Sequence, residues 1–235
     1  MKKTALLLAL IIFSFMFSQN IEGLGIFKLT KFNTNQIDSL ASVLNISIEN
    51  CDTYDCEFKT NSKVGIKRLK PNLIETYKSP TGASYSENIS VYSLNNYNLN
   101  NRYENEKITL SFYKSILYKI EIARPDTKLM DDLEIKYGKG VIKKKESSDN
   151  CRLNGKSFEF PSVIYTREWN NIEKDFNMTY MLIDGHSSNC DERIISGLYL
   201  IDNKSFRIAI DESNDAKSKF QTTVNQRKKE NLKDL

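Results

Sequence analysis

Residues 108–138, "ITLSFYKSILYKIEIARPDTKLMDDLEIKYG", decide the fold class, because the spacing of their apolar residues changes partway along. In "ITLSF" and "ILYKIEI" apolar and polar residues alternate, as a half-buried strand requires. The tripeptide "YKS" between them reads as a hairpin turn. Ile116, Tyr118, Ile120 and Ile122 are expected on one face of the second arm. After "RPD", Leu129, Leu133 and Tyr137 recur every four residues, which predicts a short helix capped by Asp126 or Thr127 and stopped at Gly138.

Upstream, "LGIFKL" (24–29) has strand composition, and Ile37, Leu40, Ala41 and Leu44 predict a helix capped by Asn33, Thr34 or Asn35. Laying "IFKL" over "LYKI" brings the two strand-helix units into near register, so two halves at about 19–100 and 101–212 are conceivable. Downstream of Gly140, "KSFEF", "SVIYTREW", "KDFNMTYMLID", "RIISGLYLID" and "SFRIAID" read as strands separated by turn-rich stretches. Phe176, Met178, Tyr180 and Leu182 are expected to share a core face. Residues 213–235 lose the pattern and read as a polar tail, with at most a marginal helix around Phe220 and Val224.

The fold class predicted is α+β: a mainly antiparallel sheet with two short helices packed on one face, tied by disulfides. In layout alone, tandem strand-helix units with disulfides resemble the β-lactamase-inhibitor-protein-like folds, and that likeness carries no functional residues.

The first residues open with Lys2 and Lys3 and continue without charge from Ala5 to Phe17, the layout of a secretory signal peptide over 1–18. Residues 19–212 would then form a single exported domain, periplasmic or secreted, with no membrane span after cleavage. Losing two lysines takes 34 basic and 30 acidic residues to 32 and 30. A chain this close to balance gives no general argument for nucleic acid or an anionic membrane. Four cysteines in an oxidising compartment imply two disulfides, for which Cys51–Cys56 and Cys151–Cys190 are the expected pairs.

The motif that invites chemistry is "LIDGHSSNCDER" (182–193), which holds the single histidine, His186, four residues before Cys190. Zinc would need thiolates from Cys151 and Cys190 with Asp184 or Asp191, and a paired disulfide removes them. The same pairing removes a Cys-His nucleophile. "DGHSSNC" reads first as an Asp-Gly turn, no phosphate-binding glycine loop occurs, and no cofactor is implied. Asp131, Asp132, Asp191 and Glu192 are surface carboxylates in this reading, although paired carboxylates for a secreted hydrolase leave no motif.

The Tyr- and Asn-rich stretch 78–107 is expected to be a long surface loop or short exposed strands. Its Tyr85, Tyr92 and Tyr97, with His186, form the candidate binding surface. The function expected is a non-enzymatic exported module of a bacterial envelope or its exterior, binding a protein or a glycan. A carboxylate hydrolase and a structural envelope component are the alternatives.

Overall fold

The computed structural model describes residues 21–51, 64–69, 85–99, 102–171 and 175–231. The segment expected to be a signal peptide, 1–18, lies outside them. Among the described residues strands dominate, and three helices complete an α+β arrangement. The chain forms two compact units: Gly23–Ile122 with Leu200–Leu235, and Ala123–Tyr199 with Ile21 and Glu22. The division is therefore discontinuous and does not fall near residue 100. The last residues of one long strand and the helix after it belong with the earlier part of the chain.

In the first of these units the strand order is β3 (Ile48–Cys51), β4 (Gly65–Leu69), β5 (Ile89–Leu99), β6 (Tyr103–Tyr113), β7 (Ile116–Ala123). β3 runs parallel to β4, and the β4–β5 and β5–β6 pairs are antiparallel. Lys114 and Ser115, both at positive φ, form the reversal between β6 and β7. Tyr118, Ile120 and Ile122 are buried as expected, whereas Ile116 is 40 % exposed. Leu117 points the other way and is also buried, because Phe32 O and Thr30 N bond its backbone and bring the N-terminal segment across it.

That segment departs from expectation. "LGIFKL" is a tight reversal between β1 (Gly23–Leu24) and β2 (Phe27–Lys28), not one strand. Gly25 sits at φ +57°, and a Cβ on Gly23 would fall 2.0 Å from Phe27 O, so both glycines serve the close return of the backbone. The suggested match to "LYKI" thereby loses its strand. Helix α1 (Thr34–Val43) does form, and Asn33 and Gln36 make a reciprocal capping box.

The stretch 78–107 contains no simple surface loop where it is described. Residues 89–99 and 103–107 are strand, and Val91, Tyr92, Ser93 and Leu94 are buried in succession, so both faces of β5 are covered. Polar composition concealed this, since asparagines and serines alternate with the apolar residues that carry the packing.

In the second unit, α2 (Thr127–Tyr137) has Asp126 as its cap and Gly138 as its end. The strand order there is β11 (Glu192–Asp202, through Tyr199), β10 (Phe176–His186), β9 (Lys156–Asn171), β8 (Val141–Leu153). The β8–β9 and β9–β10 pairs are antiparallel. "SDNCRLNG" is mostly strand, with only Asn154-Gly155 turning, both at positive φ. "KSFEF" and "SVIYTREW" are one continuous strand through Pro161. Its missing N–H faces away from β8, at a point beyond the end of the β9–β10 pairing at Val163–Asp184, so no bond to that pairing is lost.

α3 (Asn203–Asn231) replaces both the expected strand "SFRIAID" and the expected tail. Phe206, Ala209, Ser213, Ala216, Phe220 and Val224 lie at helical spacing and are its less exposed residues, while Ile208 and Ile210 point outward. The alternation Phe206, Ile208, Ile210 mimics a strand, and serine and alanine within the true stripe hide the helix. Phe206 meets Tyr118, and Phe220 meets Tyr85. Glu212 accepts hydrogen bonds from Ser86 Oγ, Asn88 Nδ2 (2.8 Å) and Tyr113 Oη (2.9 Å).

Candidate functional site

The Asp-Gly of "LIDGHSSNCDER" is not a turn. β10 continues through Gly185 to His186, and the reversal lies at Ser187–Cys190, where Cys190 N bonds Ser187 O and Cys190 takes φ +68°. The reason is Asp149. Its Oδ2 accepts from His186 N at 2.7 Å and would lie 2.3 Å from a Cβ on residue 185, so glycine is needed here to admit a carboxylate. The His186 ring stacks on Phe160, with centroids 4.2 Å apart. The Cys151–Cys190 disulfide closes the corner, and Arg152 N bonds Ser188 O beside it. Both cysteines are thus committed to structure.

Cys51 is disulfide-bonded as well, and Cys56, its expected partner, lies outside the described residues. Among the described residues no group of three His, Cys, Asp or Glu is placed to hold a metal. Asp131, Asp191 and Glu192 are exposed, and Asp132 is half-buried.

The tyrosines belong to one unit and His186 to the other. Tyr92 is 4 % exposed, between Phe112 and Arg68, and burial pushes its phenol up in pKa, with Arg68 opposing. Tyr97 is half-buried against Phe27, and burial raises its pKa too. Tyr85 is half-buried on Phe220. Each of the three rings packs against another aromatic side chain.

The open surface lies on β8, β9 and β10. Residues directly opposite in a sheet share a face. The register therefore sets Ile142, Arg167 and Tyr180 in one row, Lys144, Tyr165 and Leu182 in the next, and Glu146, Val163 and Asp184 in a third. Helix α2 covers one end of this face: Arg167 pairs with Glu134 at 2.6 Å, and Trp169 Nε1 donates to Gly138 O at 2.7 Å. Trp169 and Met178, the row under this cover, are buried with Leu129 and Leu133.

Beyond that cover, Ile142 is 59 % and Tyr165 38 % exposed, with Lys144, Glu146 and Asp184 exposed around them. Tyr180 and Leu182, expected in a core, are only half-buried. The opposite face of β8 carries Val141, Lys143 and Lys145, with Lys143 paired to Glu168 at 2.7 Å. Lys144 and Glu146 pair at 2.9 Å along the strand, which raises the lysine's pKa and lowers the carboxylate's.

Sequence reasoning reached Tyr165 only as part of the expected strand "SVIYTREW", and it missed Ile142 and Asp149. The signal for Ile142 was present in "VIKKK", an apolar pair running straight into lysines with no helical period to bury it. No helix among the described residues is long and apolar enough to cross a membrane. No family model, no curated protein and no solved structure matches the chain.

Proposed function

We propose that the chain is an exported, non-enzymatic module that binds another protein through the open sheet surface of β8, β9 and β10. The observation that supports this most is the set of rows Ile142–Arg167–Tyr180 and Lys144–Tyr165–Leu182, where apolar and charged side chains stand side by side on paired strands and Ile142 and Tyr165 are exposed. Fully burying a side chain such as isoleucine is worth about 1.5–3 kcal/mol, so a surface of this kind gains by meeting a partner. Tyrosine and arginine suit such contacts, since each offers wide apolar area with a polar end. The disulfide Cys151–Cys190 agrees with an oxidising compartment.

The test is site-specific photo-crosslinking of the full chain in its native host. A crosslinking residue in place of Ile142 or Tyr165 should yield one defined protein adduct. The same residue in place of Val43, which is 83 % exposed in the other unit, should not. No adduct from Ile142 and Tyr165, or the same adducts from Val43, would refute the reading.

A further inference from the structure

β8 ends the strand order, and its thirteen residues are exposed except near Asp149 and Cys151. The two-residue turn Asn154-Gly155 makes Leu153–Lys156 the first hydrogen-bonded pair, so by alternation the odd residues of β8 bond to β9. The even residues turn their N–H and C=O outward. Arg152 N, which bonds Ser188 O, shows the outward direction and marks where the edge becomes covered. Ile142, Lys144, Glu146, Ser148 and Asn150 therefore form a free edge with no strand beside it among the described residues.

The two faces of this edge differ in chemistry. On the face of the open rows stand Ile142 and, behind it, Tyr165, while Lys144 is neutralised by Glu146. On the other stand Lys143, shared with Glu168, and Lys145, which has no ion-pair partner among the described residues. Lysine on an exposed edge is a common guard against pairing. Here a second copy centred on the run would set lysine against lysine, whereas an acidic strand would meet the charge left over.

We infer that β8 accepts an extended segment of a partner protein as an added strand, one in which acidic residues alternate with apolar ones. The acidic side chains meet Lys143 and Lys145, and the apolar ones continue the row of Ile142 and Tyr165. Main-chain bonds supply the attachment and the two faces supply the selectivity. This inference rests on the protein-binding reading above and names the form of the partner.

The test uses a ten-residue peptide of alternating glutamate and valine, titrated into the full chain and followed by fluorescence anisotropy. It should bind at least about tenfold more tightly than its counterpart with lysine for glutamate. N-methylating either all valines or all glutamates should abolish binding in one case and spare it in the other, because only alternate N–H groups of an added strand face β8. Loss with methylated valines marks antiparallel addition, and loss with methylated glutamates parallel addition.

Equal binding by both methylated peptides and the parent, equal binding by the lysine peptide, or no binding by any would overturn the inference. So would a dimer of the free chain that the peptide cannot disperse. Since the peptide assay needs no native partner, adducts from Ile142 and Tyr165 alongside a failed peptide would reject strand addition and leave the binding reading standing.

Discussion

β5 and β8 are both long strands that carry many polar residues, yet one is a core element and the other a surface. In β5, Val91 through Leu94 are buried in succession, with β4 and β6 hydrogen-bonded on either side. β8 has β9 as its one strand neighbour among the described residues, and Val141 and Ile142 remain 58 % and 59 % exposed. β5 carries no charged residue and β8 carries six, and the strands beside them differ in the same sense. A strand with neighbours on both sides stabilises the unit, and one with a free side and an open face is available to something else.

Truncation in the core should mark the contrast most sharply. Phe112→Ala removes a fully buried ring that packs between Phe32 and Tyr92. It should cost about 3–5 kcal/mol in denaturant unfolding. Ile142→Ala should stay within about 0.5 kcal/mol. Comparable losses at the two positions would erase the distinction.

Removing the disulfide by Cys151→Ser with Cys190→Ser opens a loop with 39 residues of sequence separation. A loss of about 2–4 kcal/mol is expected, measured by unfolding without reductant. The effect should fall on the unit containing β8–β10, leaving the near-ultraviolet signal of the Tyr92–Phe112 cluster in place.

Gly185→Ala sharpens the corner itself. Its Cβ would press on Asp149 Oδ2 and on Ser162 Cβ at 2.9 Å, for a cost of about 1–3 kcal/mol. In an Asp149→Ala background the same substitution should cost less, since the carboxylate is gone, and a double-mutant cycle reads the difference. Strict additivity would show that the carboxylate is not what requires glycine.

The smallest effect is a pH dependence at Glu212. Hydrogen bonds from Ser86 and then Asn88 hold its carboxyl below the usual range, desolvation opposes them, and Tyr113 and Lys114 add smaller lowering contributions. A lowered folded-state pKa means that its stabilisation is present above the unfolded-state pKa and is lost as pH falls through the lowered value. The group is largely solvated, so under about 1 kcal/mol is at stake. Glu212→Gln should lower stability near neutrality by up to that amount and leave it unchanged in acid, where the carboxyl is already protonated, so that the acid limb flattens.

Where residue spacing and caps agreed, the sequence was legible. The β6–β7 hairpin, α1 with Asn33, α2 between Asp126 and Gly138, and the Cys151–Cys190 pair were readable from apolar period, turn chemistry and cysteine position. α3 was not, because Phe206, Ile208 and Ile210 fit a strand equally well and the deciding contacts with Tyr118 and Tyr85 come from distant segments. The Asp-Gly turn failed for a similar reason: Asp149, 36 residues from Gly185 in sequence, sets the conformation there. Tyr92 looked like a surface residue because its neighbours are polar, and only the flanking strands show that it is enclosed. The open rows need the β8–β9–β10 register, which no local pattern encodes.

Amide hydrogen exchange along β8 of the free, full chain tests the central claim most directly. The N–H groups of Ile142, Lys144, Glu146, Ser148 and Asn150 should exchange at least about tenfold faster than those of Lys143, Lys145, Ser147 and Asp149, which bond to β9. Uniform protection from residue 142 to 150 would show that the edge is already occupied, and uniform rapid exchange that β8 is not a formed strand; either result contradicts the account.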